Sequence, residues 1–295
     1  MGLEGIIIKG YGGFYYVWDG NDTWECLLRG KHRLKKQSFL PGDRVTYSVI
    51  DPQQKKAVIE KALPRRNELT RPAVANVEAA VLVASFKDPE PDFWLLDRLL
   101  ILAQASSINP VICFNKADLV TPAHCKEIKE RYKKAGFPVL ITSNRHGWGI
   151  EELGKALAGK VSVLAGPSGV GKSSLLNSLN PGLRLKTGEI SLKLGRGKHT
   201  TRHVELIPVP GSGFVADTPG FSQVQLPQSM KREELVEYYP DFLEYRPLCR
   251  FNTCCHLEEP QCAVKEAAEK GLIDKKRYER YRVFLEEVIS GERRH

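Results

Sequence analysis

Residues 161–180 read VSVLAGPSGVGKSSLLNSLN. A short apolar run with the pattern of a buried strand leads into Gly166-Pro167-Ser168-Gly169-Val170-Gly171-Lys172-Ser173, and a helical pattern follows. The string fits G-x-x-x-x-G-K-[ST], and it lies in the strand–loop–helix setting that the motif needs. Glycines let the loop backbone turn its N–H groups toward anionic oxygens, and the helix N-terminus adds its dipole. Lys172 is expected to reach the β- and γ-phosphates, and the Ser173 hydroxyl to ligate Mg²⁺. Ser174 follows it among the nucleotide-binding residues.

Outward from this loop, strands and helices alternate. VEAAVLVASF, NPVICFNK and FPVLITS read as strands. DFWLLDRLLILAQASS, TPAHCKEIKERYKKAG and GIEELGKALAG read as helices between them. Such an alternation predicts a mostly parallel sheet covered on both faces. The strand PVICF ends in Asn115-Lys116-Ala117-Asp118. A carboxylate only accepts hydrogen bonds, and guanine offers two donors side by side, whereas adenine has an acceptor at N1. Asp118 is therefore expected to select guanine, Lys116 to lay its stem along the base, and Asn115 to tie this loop to the phosphate loop. Thr142-Ser143-Asn144 ends the next strand, where backbone N–H groups are placed to meet guanine O6.

Asp217-Thr218-Pro219-Gly220 ends the strand GFVAD. Asp217 suits an indirect Mg²⁺ contact, and the Gly220 N–H suits the γ-phosphate. Between the two phosphate motifs lies Gly195-Arg196-Gly197-Lys198-His199-Thr200-Thr201-Arg202, a basic loop that can supply a threonine hydroxyl to Mg²⁺. Thr201 is preferred, with Thr200 as the alternative. Lys172, Thr201 and His199 are the candidate catalytic residues. Phe221 stands where many GTP hydrolases carry a water-orienting Gln, so slow intrinsic turnover is expected. His199 is the nearest group to orient water, and contact with RNA is its competing role.

These motifs form a complete guanine-nucleotide set in a permuted order, with the base-reading strands ahead of the phosphate loop. The segment after Asp217 then runs directly into residues 226–295, which couples a switch element to the C-terminal unit.

Residues 1–68 read as all-β. Five short strands (GIIIKG, FYYVWD, TWECLLRG, DRVTYSVI, KKAVIEKA) are separated by turn signals. A closed oligonucleotide-binding barrel is expected, with an SH3-like barrel as the alternative. The stretch from Leu63 to Pro72 reads as a linker. The net charge is +9. Arg29, Lys31, Arg33, Lys35 and Lys36 crowd one segment, and Arg184, Lys186, Lys193, Arg196, Lys198 and Arg202 another. Such surfaces favour phosphate backbones.

Four of the seven cysteines fall between residues 249 and 262. Cys249, Cys254, His256 and Cys262 form C-x₄-C-x-H-x₅-C. Three thiolates and an imidazole suit tetrahedral Zn²⁺ with no open position, hence a structural site. Cys255 is a spare that can exchange with Cys254. No apolar run approaches the roughly 20 residues of a membrane span, and the start lacks the order of a signal peptide, so a cytoplasmic protein is expected. Nothing argues for an oligomer, and a monomer is expected.

GPSGVGKSSLLN, GRGKHTTRHVEL, DTPGF and CRFNTCCHLEEPQCAV together resemble the ribosome small subunit-dependent GTPase A family, over nearly the whole chain. The resemblance implies a late-acting assembly factor of the small ribosomal subunit. It implies contact with rRNA, hydrolysis of GTP to GDP stimulated by the subunit, and a catalytic contribution from His199. The expected architecture is multidomain α/β, with a barrel over 1–68, a circularly permuted P-loop GTPase over 69–225 and a helical zinc-binding unit over 226–295. Competing readings are a permuted GTPase of the large subunit, a GTP-gated RNA binder whose turnover is incidental, and an ATP-using kinase, against which Asp118 argues.

Overall fold

The computed structural model describes residues 2–29, 38–70, 72–182, 204–217 and 224–292. His199, Thr200, Thr201, Gly220, Phe221 and the basic residues between Lys31 and Lys36 and between Arg184 and Arg202 lie outside them.

The chain opens with β1 (Leu3–Tyr11), β2 (Phe14–Trp18), β3 (Thr23–Leu28), β4 (Arg44–Asp51) and β5 (Lys56–Ala62). They close a barrel in the order β1-β2-β3-β5-β4, with β1 also paired to β4. The β3–β5 pair is parallel. An SH3-like meander pairs its successive strands antiparallel, so this crossover identifies the oligonucleotide-binding topology. Alternation along the strands turns Ile7, Val17, Cys26, Val45, Tyr47, Ala57 and Ile59 inward, and Phe39 joins the same core beside Tyr15.

The expected linker carries a small ribbon, β6 (Glu68–Thr70) paired antiparallel with β7 (Ala73–Ala75). Its prolines and charges had pointed to irregular chain. Long-range partners order it instead. Asn76 Nδ2 donates to the Gly42 carbonyl at 2.9 Å, and Arg65 donates to the buried Asp43 carboxylate at 2.7 and 2.8 Å. Gly42 itself has φ +91, and a Cβ there would stand 2.0 Å from the Ala75 carbonyl oxygen, so the barrel meets the ribbon backbone to backbone.

The second sheet is built from β8 (Ala79–Ser85), β9 (Asn109–Asn115), β10 (Val139–Ile141), β11 (Val161–Ala165), β12 (Leu206–Val209) and β13 (Gly213–Ala216). The order is β10-β9-β8-β11-β13-β12. All neighbours are parallel except the edge hairpin β12–β13. Strands β8 and β11 are buried along their whole length, as expected for a sheet covered on both faces. Helices α1 (Phe93–Ala105) and α2 (Pro122–Lys134) belong to one hydrophobic cluster, and α3 (Ile150–Leu157) and α4 (Lys172–Leu179) to another. Asp92 caps α1 by accepting the Leu95 N–H, and Thr121 caps α2 with proline in its first turn.

The C-terminal unit contains α5 (Arg232–Leu235), α6 (Ala263–Glu269) and α7 (Lys275–Glu292), with short 3₁₀ turns between. Tyr239, Phe242, Tyr281, Phe284 and Leu285 join the same core as Leu96, Leu99 and Tyr132. The sheet domain and the C-terminal unit therefore share one apolar interior. Within it lies a buried ionic cluster. Asp97 of α1 accepts from Arg277 at 2.8 Å, from Arg280 at 2.5 Å and from the Tyr132 hydroxyl at 3.3 Å, while Arg277 also donates to Asp241 at 3.1 Å. Barrel and sheet also touch, through the Lys9–Glu205 ion pair at 3.1 Å and the edge-on Trp18–Phe214 contact at 5.1 Å.

Candidate functional site

The carboxyl ends of five parallel strands meet along one edge of the sheet, which is where ligands bind in open α/β folds. β10 delivers Thr142–Asn144, β9 delivers Asn115–Asp118, β11 delivers Gly166–Ser173 and β13 delivers Asp217. β8 adds the loop of residues 86–92, which the sequence reading left without a role. The permuted chain order is invisible here, because the loops meet by strand position and not by sequence position.

Gly166 leaves β11 at φ +143, and a Cβ on it would stand 2.1 Å from the Val83 carbonyl oxygen. Only glycine lets the loop turn that close to β8. Gly171, at φ +97, opens α4, and there a Cβ would stand 2.4 Å from Asn115 Nδ2. The phosphate loop is thereby pressed against the base-reading loop. Asn115 Nδ2 donates to the Val170 carbonyl at 2.8 Å, and its Oδ1 accepts the Thr142 hydroxyl at 3.1 Å. One buried amide therefore joins three loops.

Lys172 is almost fully buried, and its Nζ donates to the Gly166 and Pro167 carbonyls at 2.9 and 2.7 Å. Burial holds its pKa below the ordinary lysine value. Ser173, one residue on in the first turn of α4, is buried as well. Ser168 and Gly169 are exposed at the outer curve of the loop, with Val170 tucked beneath.

In the base-reading loop Lys116 takes the left-handed conformation, φ +60, and its Nζ donates to the Asp88 carbonyl of the 86–92 loop. Asp118 accepts the Ser143 hydroxyl at 2.5 Å. That hydrogen bond holds its carboxyl below the usual carboxylate range. The backbone N–H groups of Thr142 and Ser143 are engaged by the Phe114 and Trp148 carbonyls at 2.9 and 3.0 Å. This narrows the expectation for guanine O6 to the Asn144 N–H. The Asn144 side chain turns to α4, donating to Ser178 Oγ at 2.9 Å.

Asp217 lies just past β13, its N–H donating to the Glu205 carbonyl at 2.9 Å and its carboxylate accepting the Glu205 N–H at 3.1 Å. The other γ-phosphate and Mg²⁺ candidates (His199, Thr201, Gly220) lie outside the described residues.

In the C-terminal unit one ligand atom each from Cys249, Cys254, His256 and Cys262 gathers so that all lie within 4.8 Å of one another. Cys249 and Cys262 sulfurs are 3.9 Å apart, and His256 Nδ1 stands 3.6 and 3.3 Å from them. Tetrahedral Zn²⁺ with bonds of about 2.3 Å to sulfur and about 2.0 Å to nitrogen sets such edges near 3.5–3.8 Å, so the donor set fits that ion. The backbone around the cluster is held from outside. Glu259 accepts the Cys255 and Leu257 N–H groups at 2.7 and 2.8 Å, and Tyr278 and Tyr281 donate to the His256 and Cys255 carbonyls at 2.8 and 2.9 Å. Cys255 points away, its thiol against the Thr253 carbonyl. The sequence reading assigns these supporting tyrosines no role, placing them only in the helical C-terminal unit.

A profile described as RsgA GTPase matches residues 62–227, and one described as RsgA N-terminal domain matches residues 4–59. The chain is 51% identical to a Moorella thermoacetica protein named small ribosomal subunit biogenesis GTPase RsgA, covering 99% of both chains. It is 49% identical to the protein of that name from Carboxydothermus hydrogenoformans, again over 99% of both. Among solved structures, YjeQ from Thermotoga maritima superposes with a TM-score of 0.83 at 38% identity, covering 98% of this chain and 99% of that one. YloQ, described as a circularly permuted GTPase, superposes with a TM-score of 0.82 at 37% identity over 98% and 96%.

Proposed function

The chain belongs to the RsgA GTPase family, and on that premise we propose that it acts as a late maturation factor of the small ribosomal subunit. In this reading it binds the subunit's rRNA, hydrolyses GTP when the subunit triggers it, and then leaves. The observation that carries the nucleotide part is the Asn115–Val170 hydrogen bond, which makes the base-reading and phosphate loops one rigid receptor. The ribosomal part rests on the names of full-length relatives and on the +9 net charge.

Each site residue takes a role in this reading. Asp118 accepts from guanine N1–H and the exocyclic amine, Lys116 lies along the base, and the Asn144 N–H donates to O6. The N–H groups of Gly166–Ser174 wrap the phosphates. Lys172 transfers its donors from the Gly166 and Pro167 carbonyls to the β- and γ-phosphates, a stronger charge-assisted contact. Ser173 and Thr201 would hold Mg²⁺, with Asp217 behind it. The ion, when bound, neutralises charge developing on the phosphate oxygens. The Gly220 N–H donates to the γ-phosphate, and His199 orients the attacking water. Water adds to the γ-phosphorus, the bond from that phosphorus to the β–γ bridging oxygen breaks with its electron pair leaving on GDP, and the water's proton leaves with inorganic phosphate or solvent.

We divide the chain at about residues 68 and 225 into barrel, GTPase and zinc units. The Cys₃His cluster holds one structural Zn²⁺, and the protein works as a cytoplasmic monomer. Among the described residues no helix is long and apolar enough to cross a membrane.

GTP turnover with and without purified small subunits tests the proposal, with large subunits and ATP as controls. Strong stimulation confined to GTP and the small subunit is expected. Equal slow turnover in every condition would overturn it in favour of a nucleotide-gated RNA binder.

A further inference from the structure

The loop between β10 and α3 displays Arg145, His146, Gly147 and Trp148 to solvent. Trp148 is 54% exposed; among the described residues of the sheet domain the other exposed large aromatic is Trp94, at 47%, whose indole packs edge-on against Phe284. Its own ring is stacked on His146, with centroids 4.8 Å apart and planes 20° from parallel. One face of the indole is thus fixed by the imidazole, and a flat aromatic surface is displayed without the rotamer freedom of a lone side chain.

The backbone beneath this pair is tightly held. Ser143 and Trp148 exchange both backbone hydrogen bonds, at 3.0 and 3.1 Å, so the turn is closed at its base. Gly149 follows at φ +69, where a Cβ would stand 2.1 Å from the Ile141 carbonyl oxygen. The His146 N–H reaches the Ser143 hydroxyl at 3.4 Å, and that hydroxyl donates to Asp118. The residue that pins the stack to the sheet is therefore the residue that orients the guanine-reading carboxylate.

We propose that the His146–Trp148 stack, with Arg145 beside it, is a platform on which an unpaired base of the partner RNA stacks, and that its occupancy is coupled to guanine binding through Ser143. A rigid aromatic face on a loop that also carries the exposed Arg145 matches the π-face and phosphate of an unpaired nucleotide. A duplex keeps its bases stacked inside and offers no such face. A base seated on the platform stiffens the turn further and favours the arrangement in which Ser143 holds Asp118, so bound RNA and bound nucleotide strengthen each other, while guanine affinity without RNA does not depend on the indole. The inference rests on the reading that the partner is the RNA-rich small subunit.

The test is equilibrium binding of the full chain to purified small subunits with a non-hydrolysable GTP analogue, for wild type, Trp148→Ala and Trp148→Phe. Analogue affinity is measured in parallel on the free proteins. Loss of one base–aromatic stack weakens Trp148→Ala by roughly tenfold. Trp148→Phe retains binding within about threefold, and analogue affinity without subunits stays unchanged. Short-wavelength ultraviolet crosslinking of the wild-type complex then joins this loop to rRNA. Equal subunit binding by wild type and Trp148→Ala overturns the inference while leaving the assembly-factor reading intact. Wild type that fails to bind subunits overturns both. A crosslink to ribosomal protein alone, or an equal loss of analogue affinity in free Trp148→Ala, also overturns it, the latter by placing the indole in the guanine pocket.

Discussion

Asn115 donates its side-chain amide to the Val170 carbonyl at 2.8 Å, joining positions 55 residues apart in sequence. The bond fixes the distance between the loop proposed to read the base and the loop proposed to hold the phosphates. Asn115 is almost fully buried, so nothing in solvent replaces it. Asn115→Ala takes the side-chain donor from the Val170 carbonyl and leaves the Thr142 hydroxyl only the Cys113 thiol at 3.4 Å, at a cost of about 1–3 kcal/mol. Guanine nucleotide affinity, measured by titration calorimetry with GDP, is expected to fall at least tenfold.

Asp118→Asn tests base selection. An amide presents a donor as well as an acceptor, so it faces one guanine donor badly and suits xanthine, whose C2 carries a carbonyl oxygen. GTP affinity should fall by about a hundredfold, the upper end of the roughly 1–3 kcal/mol that an unpaired polar group costs, and xanthosine triphosphate should bind the variant better than GTP does. Competition between the two nucleotides reads this directly. The Ser143 hydroxyl keeps Asp118 ionised below the usual carboxylate range, so guanine recognition persists there and is lost only as pH falls through the depressed value. Ser143→Ala should move that loss to higher pH.

Removing the metal tests the Cys₃His cluster. Purified protein is expected to carry about one zinc per chain, and Cys262→Ala close to none, by elemental analysis. The four ligands are contributed by short turns with little core of their own, so metal loss should free residues 249–262 first. Cys255→Ser should keep its zinc, because its thiol points away from the cluster.

Asp97 sits between two buried guanidiniums, and Arg277 and Arg280 have side-chain exposures of 2% and 8%. Asp97→Ala leaves Arg280 without its carboxylate and Arg277 with Asp241 alone, a loss of about 3–5 kcal/mol. Urea unfolding should show it as a lower midpoint. Docking of the C-terminal unit on α1 should fail first, so protease should cleave ahead of residue 275 in the variant before it opens the sheet.

Much of this protein was legible one residue at a time. The permuted order of the motifs was evident because each of GPSGVGKS, NKAD and DTPG carries its own chemistry wherever it stands. The barrel strands and most sheet elements followed from period-two and buried-run patterns. The β12–β13 edge hairpin was half missed. GFVA read as a strand, but its antiparallel partner LIPV contains a proline and followed a basic loop, signals that argue against a strand. An edge position tolerates that proline.

What the sequence determined by itself is the chemistry. A carboxylate suited to guanine, glycines and a lysine suited to phosphates, and three thiols with an imidazole suited to a metal ion are local properties of side chains at fixed spacing. What only the tertiary structure decided is which groups share a hydrogen bond or an interior. Examples are the hold of Asn115 on Val170, the engagement of the Thr142 and Ser143 N–H groups, the orientation of Cys254 inward and Cys255 outward, and the Asp97 cluster joining α1 to α7. These depend on strand order and helix docking, which bring together residues as far apart as the 183 positions between Asp97 and Arg280 or the 196 between Lys9 and Glu205. Sequence spacing carries no record of such distances, because the long-range contacts are chosen by the burial of whole faces and not by any one residue.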